Sequence, residues 1–166
     1  MELPDKDALG GKLYEAVALY YNSAVPGDKF SAKRKLESLA NSGSLEAGLR
    51  LAVIELGESD RAGVDRLVEL TKLNYMPSYY ELGNVYYFGV KTFPDKEKGM
   101  SFWERAAEMG HLYARLNVLK MRSQTAPFQT RVVNVLKIWG IALKILIVTV
   151  RNVNDERLLG VTPSYE

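Results

Sequence analysis

The chain of 166 residues is predicted to be all-α, an α-solenoid of about four antiparallel helical hairpins with a long C-terminal helix. Three observations lead there. Residues 28–47, "DKFSAKRKLESLANSGSLEA", lie without a gap over residues 95–114, "DKEKGMSFWERAAEMGHLYA". Asp28 meets Asp95, Ala32 meets Gly99, Leu36 meets Trp103, Ala40 meets Ala107, Gly43 meets Gly110 and Ala47 meets Ala114. A weaker copy at residues 60–78 puts Gly63, Leu67, Thr71 and Ser78 at the Gly99, Trp103, Ala107 and Ala114 places. The copies are spaced by 31 and 36 residues, the interval of a helical repeat whose units bury their apolar faces only by stacking. Finally, apolar residues recur at three- and four-residue steps, and no clear strand is present.

Helices are expected near 9–22, 28–42, 45–56, 59–73, 77–88, 95–109, 112–122 and 128–151. In the third copy, Leu82, Val85, Tyr86 and Gly89 form one face of a helix. Gly83 inside that helix costs about 1 kcal/mol against alanine, so close approach of a neighbour should compensate. "GVKTFPD" is the connection: Gly89 ends one helix, Pro94 prepares the next, and Asp95 can accept bonds from its orphan amides. The following helix carries Gly99, Phe102, Trp103, Ala106 and Ala107 on one stripe, and Gly110 can stop it by taking positive φ.

The pattern Leu82-Gly83, Tyr86, Gly89-Val90, Asp95, Lys98, Phe102-Trp103, Ala106-Ala107-Glu108, Gly110, Ala114 resembles the Sel1-like repeat, a relative of the tetratricopeptide arrays. The match is strong in the third copy and moderate in the first. The second lacks the "GV…D" loop, being shorter by five residues. The resemblance covers about residues 9–117. It implies a right-handed superhelix that serves, often in bacteria, as a scaffold or adaptor for other proteins. Cysteine-rich and hydrolase members exist, but a chain without cysteine inherits nothing from them.

Composition narrows the function. At 47% apolar and 25% charged residues the chain is an ordinary folded protein. Without cysteine it has no disulfide framework, thiolate metal site or thiol nucleophile. The start, "MELPDKDALGGK", carries acids and no apolar core, so no secretory signal is expected. His111, the single histidine, is expected in a turn, bonding to the last carbonyls of the preceding helix. Glu55, Glu58 and Asp60 suggest a capped, solvated turn. "GGK" at Gly10-Gly11-Lys12 lacks the spacing of a phosphate loop, and no serine stands in a nucleophile elbow. No catalytic residue, cofactor, metal or small-molecule substrate is assigned.

Two surfaces remain. Tyr75, Tyr79, Tyr80, Tyr86, Tyr87 and Phe88 crowd into 14 residues. In an array whose first helices line the concave side, Tyr80, Asn84, Tyr87 and Lys120 are the candidates for partner contact, tyrosine being rich in interface hot spots. An equal alternative reading has the aromatics fill an inter-helix gap.

The second surface is the last helix. Residues 1–108 carry a charge balance of −3, residues 109–166 one of +5. Residues 132–150, "VVNVLKIWGIALKILIVTV", have the length to cross a bilayer, but Lys137 and Lys144 within it make a simple span costly. At 100° per residue Asn134, Lys137, Lys144 and Arg151 share one stripe. In one reading the helix caps the array with this stripe outward. In the other its apolar face lies in a membrane interface, with Lys137, Trp139, Lys144 and Arg151 as membrane or anion contacts.

The expected division is a repeat array over 9–122, a capping or membrane-facing helix over 123–154 and a fraying tail over 155–166. The function expected is that of a non-catalytic protein–protein scaffold, cytoplasmic or at the inner face of a membrane. A membrane-surface docking protein and an immunity-type inhibitor of a bacterial toxin are the alternatives. Nucleic-acid binding ranks lower, since the basic region lacks a recognised motif and interleaved exposed aromatics.

Overall fold

The computed structural model describes residues 6–58, 61–124, 126–152 and 155–159, with side chains from Gly10 onward. Among the described residues there are eight helices and no strand: α1 (Lys6–Asn22), α2 (Pro26–Asn41), α3 (Leu45–Gly57), α4 (Ala62–Lys72), α5 (Met76–Phe88), α6 (Lys96–Glu108), α7 (Leu112–Gln124) and α8 (Phe128–Arg151). Neighbouring helices pack together, α1 on α2, α2 on α3, α5 on α6, α6 on α7 and α7 on α8. The chain forms two compact units, Met1–Arg66 and Leu67–Glu166.

The turns show why helices begin and end here. After α2, α4 and α6 the same backbone pattern recurs. Gly43, Asn74 and Gly110 take positive φ of 98°, 53° and 106°. Their amides donate to Ala40, Thr71 and Ala107, and the next amides (Ser44, Tyr75, His111) donate to Leu39, Leu70 and Ala106. These bonds satisfy carbonyls that a helix end leaves orphaned. Asp95 caps α6 as expected, accepting from the Lys98 amide at 2.9 Å. Gly89 ends α5 in the left-handed region.

Positions that align in sequence also share environments. Leu36, Leu67 and Trp103 are buried, as are Ala47, Ser78 and Ala114. In the first unit Leu13, Ala16, Leu36, Ala47, Leu51 and Ile54 form one core cluster. In the second, one cluster joins Tyr80, Trp103, Ala106, Ala114 and Val118. Another joins Leu112, Val148 and Leu158.

Gly83 faces the indole of Trp103, so the compensation expected for a mid-helix glycine comes from a side chain that occupies the missing Cβ's space. Gly99 permits an approach of another kind, backbone against backbone. A Cβ there would stand 2.5 Å from the Tyr87 amide nitrogen and 2.7 Å from its Cα. Gly99→Ala gains about 1 kcal/mol of helix propensity. It also forces α5 and α6 apart, an overpacking cost of about 1–3 kcal/mol. Because the clash is with backbone, the cost should win, lowering the urea midpoint. An unchanged or raised midpoint would show that the helices separate freely.

Candidate functional site

The four residues expected on a partner-facing surface do not share one. Tyr80 and Asn84 are buried, which corrects that expectation. The Tyr80 ring stacks on His111 with centroids 4.3 Å apart. Burial, with the nearby Glu81 carboxylate adding to it, pushes its hydroxyl up to about 12. The Asn84 amide carbonyl accepts from the Trp103 indole at 3.1 Å. Its amide nitrogen donates to Glu81 at 3.2 Å. Tyr87 is half-buried, its ring 4.5 Å from that of Trp103 and its hydroxyl on the Met121 sulfur. Only Lys120 of the four is exposed. The reason is that α5 is buried almost all round between Met76 and Val85, not along one stripe.

His111 is also placed differently. Its backbone amide, not its ring, closes the preceding helix. The ring sits at the start of α7, where Nδ1 accepts from the Ala114 amide at 3.2 Å. Nε2 then carries the proton and donates to the Leu159 carbonyl at 2.8 Å. Ser44, the aligned residue, accepts from Ala47 in the same way at the start of α3. That alignment is the sequence signal for the cap; the bond to Leu159 has none. The Leu112 amide donates to the Arg157 carbonyl, so the chain after α8 covers the α7 N-terminus. Leu158 and Leu159 are buried, correcting the expectation of a fraying tail for residues 155–159; 160–166 lie outside the described residues.

Of the three acids near the shortened loop, Asp60 lies outside the described residues. Glu55 is not solvated: it is buried and takes a two-point contact from Arg66, 3.0 Å at each oxygen. Glu58 is exposed and accepts from Tyr20 and Lys33.

An exposed apolar surface belongs to α8. Asn134, Ile138, Ile141, Ile145 and Val148 turn inward, Asn134 and Val148 being buried and the isoleucines half-buried. Asn134 donates to the Ser123 hydroxyl at 2.9 Å near one end of the α7–α8 pair. Val148 packs with Leu112 near the other. Arg131 holds the connection, donating to the carbonyls of Ala126 and Gln124. The expected polar stripe is therefore corrected: Asn134 faces the protein, because its amide finds the Ser123 hydroxyl. Lys137, Lys144 and Arg151 remain exposed beside the packed stripe.

Opposite that stripe the helix presents an apolar arc. Leu136, Trp139, Leu143, Leu146 and Val150 are 58–79% exposed. The 24-residue helix is long and apolar enough to cross a membrane, with only 11% of its most apolar window buried.

A groove of about 720 Å3 runs between α6, α7 and α8. Val118, Leu119 and Ile141 contribute apolar lining, and Arg115, Arg122, Lys137 and Lys144 line it as well. Of its acids, Glu104 pairs with Arg122 at 2.8 Å and Glu108 with Arg105 at 3.2 Å. Such exposed pairs contribute about 0–1 kcal/mol each. Arg115, Lys137 and Lys144 pair with no acid among the described residues.

No family model matches the chain, and no curated protein matches it.

Proposed function

We propose that this chain is a non-catalytic docking protein, built from Sel1-like helical hairpins, that sits on a membrane surface through α8 and engages another protein elsewhere. The exposed apolar arc of α8 carries the membrane part of this reading. One stripe of the helix is taken up by α7, yet the opposite side bears leucine, valine and tryptophan where a solvated helix would carry charge. Lys137 and Lys144 would sit at headgroup level with the arc in the acyl boundary. Crossing the bilayer fits less well, since the inner stripe is committed to α7 at both ends. The repeat part of the reading rests on the turns after α2, α4 and α6 and on the matched burial of aligned residues. Protein recognition is the role that the resemblance to helical-repeat scaffolds suggests for such an array.

The test uses the two tryptophans. Trp103 is buried, whereas Trp139 is 71% exposed. Adding vesicles to the full chain should shift emission to the blue through Trp139 alone, and Trp139→Phe should remove the shift. Leu136→Gln with Leu143→Gln should abolish vesicle flotation without altering helicity, as both side chains lie outside the packed stripe. A chain that stays in solution with every vesicle composition would overturn the membrane part.

A further inference from the structure

We propose that the groove between α6, α7 and α8 binds the phosphate of an anionic phospholipid headgroup; the inference rests on the membrane-surface reading and names the lipid class. Arg115 and Arg122 are seven residues apart on α7, and Lys137 and Lys144 seven apart on α8. Seven residues are two helical turns, about 10.5 Å along the axis. The two helices run antiparallel, with Asn134 against Ser123 near one end and Val148 against Leu112 near the other. Arg122 therefore stands level with Lys137, and Arg115 with Lys144. Two cationic rungs result, lining one groove with an apolar surface between them.

The rungs differ in what they already hold. Arg122 is engaged by Glu104, so the outstanding positive charge is concentrated at Arg115 and Lys144, with Lys137 beside them. A phosphodiester between a guanidinium and an ammonium makes short, charge-assisted bonds, and arginine can grip two of its oxygens. The same chemistry could be met by free phosphate. A lipid is favoured by what lies next to the groove. Going round α8 from the packed stripe, the lysines come first, then Gly140, then the exposed apolar arc. Gly140 lines the groove, and a Cβ there would meet nothing within 4 Å. It leaves a notch between Lys137 and Lys144 through which acyl chains can pass from a headgroup in the groove to the apolar side. An acidic peptide would use the cations but has no use for that notch.

The experiment compares flotation of the full chain on phosphatidylcholine vesicles with and without phosphatidylglycerol. The wild type should prefer the anionic vesicles. Arg115→Gln with Lys144→Gln should lower affinity for them by on the order of tenfold or more, each cation near a charged surface being worth several-fold. Binding to pure phosphatidylcholine should not change. Lys120→Gln with Arg151→Gln removes the same charge outside the groove and should cost less. Equal losses from the two double variants would mean a diffuse surface attraction and overturn the groove site while leaving the membrane reading intact. Loss of all vesicle binding by the wild type defeats both. If inorganic phosphate displaces the chain from anionic vesicles, or poly-glutamate does so, the lipid assignment is overturned in favour of free phosphate or an acidic chain respectively.

Discussion

Trp103→Ala should destabilise the second unit by about 3–5 kcal/mol, a large fraction of the roughly 5–15 kcal/mol that holds a typical domain. The indole is 1% exposed and packs against Tyr87 and, at 6.0 Å, Phe88. Truncation removes that burial and opens a void where α5 and α6 meet. It also takes the donor from the Asn84 carbonyl, which is buried and cannot turn to water. Trp103→Phe separates these effects. It keeps most of the apolar volume but leaves Asn84 without its indole bond, a loss of about 1–3 kcal/mol. Urea unfolding followed by circular dichroism measures both. If Trp103→Ala stays within about 1 kcal/mol of the wild type, the indole is not the centre of this core.

Stability should also fall as pH drops from 6.5 towards about 4, through His111. Burial holds its ring well below the ordinary value, at about 4, and the bond to the Leu159 carbonyl only partly opposes this. In the unfolded chain the ring takes up a proton near pH 6.5, and in the folded chain it does not. The unfolded state binds more protons across that window, so stability rises with pH through it and is lost going down. A shift of this size corresponds to about 3 kcal/mol when complete. Protonation would place a second N–H against the Ala114 amide and break the cap. The rings facing His111 belong to Tyr80 and Tyr113. Asp155, held near 2 chiefly by its bond from Arg157, stays ionised over the same range. His111→Ser should preserve the cap, as Ser44 does for α3, and flatten the dependence between pH 4 and 6.5. Wild-type and His111→Ser curves of equal slope would refute the assignment.

The sequence by itself determined the eight helices among the described residues, within a few residues at each end, and the turns at residues 89–95 and at Gly110. Those depend on neighbours along the chain: Asp95 next to its own orphan amides, Gly110 with its tolerance of positive φ, apolar residues at helical intervals. It also marked Gly83 as a place where something must come close. Tertiary structure decided which faces are covered. Tyr80 and Asn84 look like surface residues when α5 is given one packed stripe, and they are interior because the helix is enclosed on more than one side. On α8 the bond from Asn134 to Ser123 and the packing of Val148 on Leu112 set which stripe meets α7 and leave the apolar arc outward. His111 reaches Leu159 across 48 residues, a contact to which no local pattern points. Spacing reports which residues share a side of a helix; only the neighbours present in space settle which side meets protein and which is left for something else.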